Sequence, residues 1–269
     1  MTQTKKIAIY VLRFATVLAL LVAIFPSPVS AESAGYALQF DGINDYVALN
    51  YTRNILASGW QSTKTVSLWV KPTGISPTCQ YATIGYCDLI FGDKPKWWGI
   101  YRGIVNGNDR IWVWNWDGNS DVIAVPYTPG EWVHISLVHS GGVLRAYKNG
   151  VEVGNVPSGP TQQPPGSPVL HVGGIINSVN RNWTFQGAID EVQIWTIARS
   201  AAEIQRDKNA IFVGNEPGLA AYYRMSDGAG LTLTDDSVFN WNGTLYDGGN
   251  GVPPDGQPPL WVPSGAFQP

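Results

Sequence analysis

The sequence has few charged residues and no cluster of basic ones. Charged side chains make up 14% of the 269 residues, and the formal net charge is −3. Three positive charges, Lys5, Lys6 and Arg13, lie in an N-terminal segment that we expect to be removed, which leaves 14 basic and 20 acidic residues. Nucleic acid and anionic membranes are bound by clustered Lys and Arg. Both are therefore poor partners for this chain.

Cysteine and histidine are also scarce. The three histidines are His134, His139 and His171; no pair has the spacing of zinc ligands, and two cysteines cannot complete a thiolate site alone. In an exported chain, two cysteines as close as Cys79 and Cys87 are expected to pair. Such a disulfide would stabilise the fold by about 2–3 kcal/mol; the alternative is two free, buried thiols.

The N-terminus has the pattern of an export signal. An apolar run ends at Phe25, and small residues at 29–31 suit a signal peptidase. We predict a signal peptide over residues 1–31 and a secreted or cell-surface mature chain. The alternative is an uncut membrane anchor, but the run from Phe14 to Phe25 is shorter than the roughly 20 residues of a bilayer helix. Extending the run backwards would bury Arg13.

The remaining composition favours short strands and turns. The sequence contains 30 Gly and 19 Pro, and aromatic residues make up 12%. Apolar residues alternate with others in 65–72, 132–139 and 190–197, which is the period of a strand with one buried face. Asn149-Gly150 between two such runs indicates a two-residue hairpin, because a type I′ turn needs positive φ at both central residues.

One short helix and a separate C-terminal element are also predicted. Ser200 followed by Glu203 is a capping box, in which each side chain bonds the other residue's backbone N–H. We assign residues 32–212 to one domain and 213–269 to an extension of strands and loops. The extension is expected to pack on that domain, because two or three strands form a poor independent core.

Five motifs in a fixed order carry a family resemblance. They are Phe40-Asp41-Gly42 with Asp45-Tyr46-Val47, Ser67-Leu68-Trp69-Val70-Lys71-Pro72, Gly130-Glu131-Trp132 with His134, Tyr147 with Asn149-Gly150-Val151, and Phe185 with Gly187 and Ile189-Asp190-Glu191-Val192. Together they resemble the laminin-G-like, concanavalin A-like jelly roll of secreted bacterial proteins. The resemblance implies an all-β fold, a two-sheet antiparallel jelly-roll β-sandwich with one short helix and a C-terminal β extension.

The resemblance also implies a structural calcium ion. In this type of jelly roll the first and last strands are neighbours, which would bring the Asp41-Gly42 turn close to Asp190. Calcium binds six to eight oxygens, and Asp41, Asn44, Asp45 and Asp190, with the backbone carbonyl of Gly42, could supply several. The alternative is that these Asp, Asn and Gly residues only form turns, where they are common.

Nothing in the sequence forms a catalytic set. Jelly-roll glucanases carry their carboxylates as Glu-x-Asp-x-(x)-Glu on one strand, and this pattern is absent. Asp190 and Glu191 are consecutive, so their side chains would face opposite sides of a strand and could not flank one glycosidic bond. There is no Gly-x-Ser-x-Gly motif. We therefore predict that the protein is not an enzyme.

Tryptophan is the better indication of function. Trp112, Trp114 and Trp116 alternate and should share one face of a strand, and indole rings stack on the C–H faces of sugars. The predicted ligand-binding residues are Trp98, Trp116, Asp117, Asn119 and Trp183. The alternative is that most of these aromatic residues fill the core between the sheets.

We predict a secreted, non-catalytic module that binds carbohydrate or another extracellular ligand on a calcium-stabilised jelly roll. Two other functions stay open at this point. One is a structural or adhesion protein that assembles through protein–protein contacts, and the other is a divergent glycoside hydrolase.

Overall fold

A computed structural model of the chain describes residues 35–49, 59–76, 88–94, 98–162, 169–176, 182–248 and 254–266. These residues belong to one compact unit, residues 31–269. The predicted signal peptide, residues 1–31, and both predicted disulfide partners, Cys79 and Cys87, lie outside the described residues. Within the described ranges no helix has the length and apolarity needed to span a membrane.

The first of two large sheets is antiparallel. Its strand order is β10-β9-β8-β3-β14-β1-β18, and β15 also pairs with β14. The strands of this sheet are β1 (Tyr36–Asp41), β3 (Lys64–Pro72), β8 (Val133–Ser140), β9 (Val143–Lys148), β10 (Val151–Pro157), β14 (Gln186–Trp195), β15 (Leu219–Tyr223) and β18 (Leu260–Pro263).

The second sheet has the order β16-β17-β2-β11-β4-β5-β6-β7. Its strands are β2 (Asp45–Leu49), β4 (Asp88–Lys94), β5 (Trp98–Val105), β6 (Asn108–Trp116), β7 (Ser120–Val125), β11 (Val169–Val172), β16 (Thr232–Leu233) and β17 (Gly243–Asp247). A small hairpin lies apart from both sheets: β12 (Gly174–Ile176) pairs with β13 (Asn182–Thr184).

The core lies between the two sheets, and the alternation of side chains explains why. Leu68 and Ile135 of the first sheet and Ile111 and Val113 of the second are fully buried in one cluster. The turn after β9 has φ of 51° at Asn149 and 84° at Gly150, as a type I′ turn requires. The predicted all-β sandwich of two antiparallel sheets is therefore confirmed.

The C-terminal segment contributes strands to both sheets. In the first sheet, β15 pairs with β14 and β18 pairs with β1. In the second sheet, β17 pairs with β2. The first strand of the domain, β1, also pairs with β14. Strands from the two ends of the chain are thus sheet neighbours.

One helix, α1 (Ala201–Asp207), is present in the described part of the chain. The Ser200 hydroxyl accepts from the backbone N–H of Glu203, and the Glu203 carboxylate accepts from the backbone N–H of Ser200. Replacing Ser200 with alanine removes this cap and should lower the free energy of unfolding by about 1 kcal/mol. Urea denaturation measures the change, and an unchanged midpoint would contradict it.

Candidate functional site

The turn between β1 and β2 gathers carboxylates. The Asp41 carboxylate accepts the backbone N–H groups of Ile43 at 2.7 Å and Asn44 at 3.4 Å. The Asp45 carboxylate accepts the backbone N–H of Asp41 at 3.0 Å. Asp45 is only 3% exposed, and its second oxygen is buried without a hydrogen-bond partner. Two of the predicted metal ligands therefore lie together.

Asp190 is not part of this group. Asp41 lies opposite Gln186 on β14, and Asp190 is four residues further along, roughly 13 Å at the rise of a strand. Its carboxylate accepts the backbone N–H of Glu191 and the Ser264 hydroxyl instead. The expectation that β1 and β14 bring Asp41 and Asp190 together is wrong. The strands do pair, but their register separates the two residues.

The C-terminal segment supplies the carboxylates that lie near Asp41 and Asp45. Asp247 on β17 is directly opposite Asp45 on β2. The Asp247 carboxylate accepts the side-chain amide of Asn44 at 2.9 Å and the backbone N–H of Asp255 at 3.0 Å. Burial, then the charge of Asp41, and further the charges of Asp255 and Asp247 raise the pKa of Asp45 to about 8.

These residues have the chemistry that a hard cation requires. Carboxylates and backbone carbonyls are the ligands that calcium prefers, and one buried Asp45 oxygen has no hydrogen-bond partner. In the described ranges no three Asp, Glu, His or Cys side chains already converge as a ligand set would. A bound calcium ion would supply positive charge to this group of carboxylates.

Trp98, a predicted ligand residue, lies in the core and not on a surface. Its side chain is fully buried, and its ring centroid lies 5.8 Å from that of Phe91 and 6.0 Å from that of Trp60. The Nζ atom of Lys64 lies 5.0 Å from the ring centroid. Trp98 faces the first sheet because it has the same parity in β5 as Ile100. The prediction that it binds ligand is corrected.

The alternating tryptophans of β6 lie on the opposite face. Ile111 and Val113 point into the core, so Trp112, Trp114 and Trp116 point away from it. All three are half-buried. They lie on the outer surface of the second sheet, together with aromatic residues from other strands. We call this surface the aromatic face and define it by Tyr46, Tyr246, His171, Tyr101, Trp112, Trp114 and Trp116.

One row of outward-facing residues crosses seven strands of this sheet, each residue opposite the next. The row is Thr244, Ala48, His171, Gly92, Gly99, Trp114 and Val122. The two glycines, which are both buried, bring no side chain to the stretch of the face between His171 and Trp114, which we call the glycine stretch. A Cβ atom at Gly92 would lie 2.7 Å from the Trp98 carbonyl oxygen. Glycine is thus required there by the close approach of the strands.

Aromatic rings lie at both ends of the glycine stretch. On one side Tyr46 and Tyr246 stack with ring centroids 5.0 Å apart and an interplanar angle of 10°, and Tyr46 lies 5.7 Å from the His171 ring. On the other side the rings of Tyr101 and Trp114 lie 5.7 Å apart. Tyr246 is 38% exposed. Tyr101 is fully buried. Of these rings, a ligand could contact the half-buried Tyr46 and Trp114 and the exposed Tyr246.

The β12–β13 hairpin borders the aromatic face along one side. Ile175 packs with Leu89 and Tyr101, and the half-buried Trp183 packs against the same cluster. Trp183 is therefore next to the tryptophans of β6, as a ligand-binding residue on this face would be. Part of the Trp183 ring packs against Ile175 of the same hairpin and its cluster.

Asp117 and Asn119 have a role in the loop that follows Trp116. The Asp117 carboxylate accepts the backbone N–H of Asn119 at 2.9 Å and of Gly159 at 2.6 Å. These hydrogen bonds, the one from Asn119 first, lower the pKa of Asp117. The carboxylate therefore holds two loops together at the edge of the aromatic face. Asn119 is exposed and free to contact a ligand there.

The outer surface of the first sheet is covered instead. Val138 and Tyr147 of this sheet pack against Ile204 of α1, and the Trp69 indole N–H donates to the Lys208 carbonyl at 2.9 Å. His134 lies on this side, fully buried against Trp69. Burial lowers the pKa of His134 to about 3, so it is neutral and structural. This surface has little room for a ligand.

Sequence reasoning missed Tyr46, Tyr246 and His171. Each alternates with core residues along its own strand, so its outward direction could have been inferred. Their meeting on one surface could not have been inferred from the sequence, because Tyr46 and Tyr246 are 200 positions apart and β11 lies between β2 and β4 in the sheet.

Three comparisons place the chain among known proteins. The family profile described as "Concanavalin A-like lectin/glucanases superfamily" (Laminin_G_3) matches residues 41–205. Mouse pappalysin-1 is 34% identical over 88 residues, which cover 30% of this chain and 5% of that protein. The chain thus spans about a twentieth of the length of this curated relative.

Two solved structures align with this chain at low identity. A Bacteroides ovatus protein for which carbohydrate binding has been suggested aligns with a TM-score of 0.61 and 19% identity, over 84% of this chain and 62% of that one. A heptameric SAP-like pentraxin from Limulus polyphemus aligns with a TM-score of 0.47 and 15% identity, over 65% of this chain and 82% of that one.

Proposed function

Because this chain belongs to the concanavalin A-like lectin/glucanase superfamily, we propose that it is a non-catalytic module that binds carbohydrate on the aromatic face. The observation that carries the proposal is the distribution of rings over the two outer surfaces. The second sheet presents a row of half-buried aromatic residues, whereas the first sheet is covered by α1 and the segment after it.

The aromatic face favours an extended oligosaccharide that lies across the strands. Sugar rings stack on Trp and Tyr through their C–H faces, and the half-buried Tyr46 and Trp114 lie on opposite sides of the glycine stretch. From β2 to β6 there are four strand spacings, about 19 Å. This distance exceeds the length of a disaccharide and suits a longer chain.

The chemistry of the face supports binding without catalysis. Glycoside hydrolysis requires two carboxyl groups on either side of the scissile bond. Among the outward-facing positions described on β4, β5, β6 and β7, none is Asp or Glu. Asp190 and Glu191 lie on the first sheet, away from the aromatic face.

Replacing Trp114 with alanine tests the proposal. The change removes the Trp114 ring from the aromatic face and should weaken binding about two- to twelvefold, because a stacked ring contributes about 0.5–1.5 kcal/mol beyond its buried area. Binding of soluble β-glucan, xylan and arabinan oligosaccharides is measured by calorimetry on the full mature chain.

Trp261→Ala is the matched control. Trp261 is also half-buried, but it lies on β18 of the first sheet, so its loss should leave the affinity unchanged. Equal weakening by both variants, or undiminished binding by Trp114→Ala, would place the ligand elsewhere. No binding of any neutral glycan at millimolar concentration would overturn carbohydrate recognition.

The proposal extends to where the module works and what stabilises it. The apolar N-terminal run and the small residues at 29–31 support export, and export supports a disulfide between Cys79 and Cys87. The carboxylates at the β1–β2 turn support a structural calcium ion. An extracellular glycan is the ligand that such a location would supply.

A further inference from the structure

We propose that Asp190 and Glu191 form a proton-sensitive clasp for the C-terminal end of the described chain, residues 260–266. This C-terminal end docks firmly on the first sheet while the pair holds a proton, and it loosens when both carboxyl groups are charged. The inference goes beyond glycan binding and does not depend on it. It rests on where a bulge in β14 places the two side chains and on the groups that cover them.

A β-bulge turns both carboxyl groups toward the outer surface of the first sheet. Neighbouring residues of a regular strand face opposite sides, but the register of β14 against β3 shifts between Asp190 and Gln193. Glu191 has a φ of 52°, and such a bulge re-aims side chains. Ile189 and Val192, on either side of the pair, are both buried in the core between the sheets. The two residues between them therefore share the outer side.

Each carboxyl group accepts a hydroxyl group from the C-terminal part of the chain. The Ser264 hydroxyl donates to Asp190, and the Tyr222 hydroxyl of β15 donates to Glu191 at 2.5 Å. The Ser264 hydroxyl oxygen also accepts the backbone N–H of Ala266 at 3.1 Å. Asp190 is only 2% exposed. The residues that follow β18 thus lie against the Asp190 carboxyl group and help to bury it.

Burial is the main reason that the pair keeps a proton at neutral pH. It raises the pKa of Asp190 to about 7 and the pKa of Glu191 to about 8, and for Glu191 the charge of Asp190 is the next cause. Above pH 8 both carboxyl groups are charged and adjacent in a site with little water. Two like charges in such a site destabilise the arrangement that holds them there.

The charged groups around the pair do not balance it. Arg224, which follows β15, lowers the pKa of Asp190, Glu191 and Asp236, whereas the charge of Asp236 raises the pKa of Glu191. One arginine thus faces three carboxyl groups, and a bound proton removes part of the excess negative charge. The other titratable groups on the elements packed here are Tyr222 of β15, Lys71 of β3, His134 of β8 and Lys208 after α1.

The C-terminal end responds because its docking and the binding of the proton are linked. When this end lifts off, water reaches the pair, and the two pKa values move toward their ordinary values of 3.8 and 4.5. The released state then binds fewer protons between about pH 4 and 8, so a rise in pH through this range favours release. Ser264 directly follows β18, which pairs with β1, so β18 is the strand that loosens.

Hydrogen exchange of the full mature chain at pH 5.5, 7 and 8.5 tests the inference. After correction for the intrinsic exchange rate, residues 260–266 should exchange at least about tenfold faster at pH 8.5 than at pH 5.5, because one linked proton changes an equilibrium up to tenfold per pH unit. Strand β8, in the middle of the same sheet, should keep its protection. Equal protection of residues 260–266 at all three pH values, or an equal loss in β8, would overturn the clasp.

Neutral variants identify the groups that titrate. Asp190→Asn and Glu191→Gln keep the shape of the protonated pair at every pH, so each should reduce the pH dependence and the double variant should remove it. Asp227→Asn is the matched control, since Asp227 lies on the C-terminal side of β15 but bonds to Thr234; it should behave as the wild type does. Full pH dependence in the double variant would refute the assignment.

Ser264→Ala provides a test that leaves both carboxyl groups in place, in case the neutral variants do not fold. It removes the hydroxyl group that donates to Asp190. Exchange of residues 260–266 at pH 5.5 should then rise toward the wild-type rate at pH 8.5. An unchanged exchange rate in this variant at pH 5.5 would show that the contact between Ser264 and Asp190 does not hold the C-terminal end.

Discussion

Replacing Trp98 with alanine is expected to lower the free energy of unfolding by about 3–5 kcal/mol, the range for removing a large aromatic side chain from a core. The indole is fully buried between the sheets and packs against Phe91 and Trp60. Its loss would leave a cavity and would also remove one of the two rings that lie near the Lys64 ammonium. Urea denaturation at pH 7 measures the change.

The comparison with Trp114→Ala separates core from surface. Trp114 is half-buried on the aromatic face, so its replacement should cost less stability and should weaken glycan binding. Trp98→Ala should lose more stability, but it should keep glycan binding under conditions in which it stays folded. A Trp98 variant with nearly unchanged stability and lost glycan binding would return this residue to the ligand surface.

The second large effect concerns Lys64, which is expected to make stability depend on pH between 7 and 10.5. Its side chain is 1% exposed, and burial lowers the pKa to about 7 from 10.5, although the charge of Asp93 opposes the shift. The Nζ atom donates to the Thr161 hydroxyl at 2.7 Å and to the Trp60 carbonyl at 3.3 Å. These two hydrogen bonds replace only part of the hydration that the ammonium has in water.

The sign follows from which state binds the proton. Between pH 7 and 10.5 the unfolded chain carries the proton on Lys64 and the folded chain does not, so stability rises with pH. Below pH 7 both states carry the proton, and burial of the Lys64 charge lowers the stability of the folded chain by its full amount. For this difference in pKa the amount is on the order of 5 kcal/mol. Above pH 10.5 neither state is charged at Lys64, and this loss of stability disappears.

The difference between wild type and Lys64→Met isolates this group. Asp190 and Glu191, whose pKa values burial raises to about 7 and about 8, have the opposite effect, because stability falls as the pH rises from about 4 to 8. Both proteins contain Asp190 and Glu191, so the contributions of these two residues cancel in the difference between their stabilities. We expect the stability of wild type relative to Lys64→Met to rise by about 1.4 kcal/mol per pH unit from pH 8 to 10.

Urea denaturation of both proteins at pH 6, 8, 9 and 10 provides the curve. Lys64→Met is expected to be at least as stable as wild type at pH 6, because an apolar side chain of similar length replaces a buried charge. A flat difference curve would show that the Lys64 ammonium keeps its charge inside the fold. Trp60, Trp98 and Thr161 would then stabilise the cation more than burial penalises it.

Local patterns determined much of the fold. The alternation of Val66, Leu68 and Val70 fixed the buried face of β3, because residues two apart on a strand share a face. Asn149-Gly150 fixed a hairpin, since its turn needs positive φ. Ser200 and Glu203 fixed the start of α1. Each of these features depends on residues close together in the chain.

The site could be predicted only in part. The parity of Trp112, Trp114 and Trp116 placed them on one face, but parity alone does not say whether that face is the core. The prediction that Trp98 binds ligand rests on the sequence pair Trp97-Trp98, which does not show which ring faces the core. The structure reverses that assignment, since Trp98 shares the parity of Ile100 and faces the first sheet.

By itself, then, the sequence determined the sandwich, its single described helix and the aromatic character of one strand. Only the tertiary structure decided that Asp45 lies opposite Asp247 and away from Asp190, and that Tyr46 and Trp114 lie on the same outer face of the second sheet. The physical reason is register: strand pairing between residues about 200 positions apart is set by the packing of the whole core. A shift of four residues along β14 separates Asp41 from Asp190, which the motifs alone predict to be neighbours.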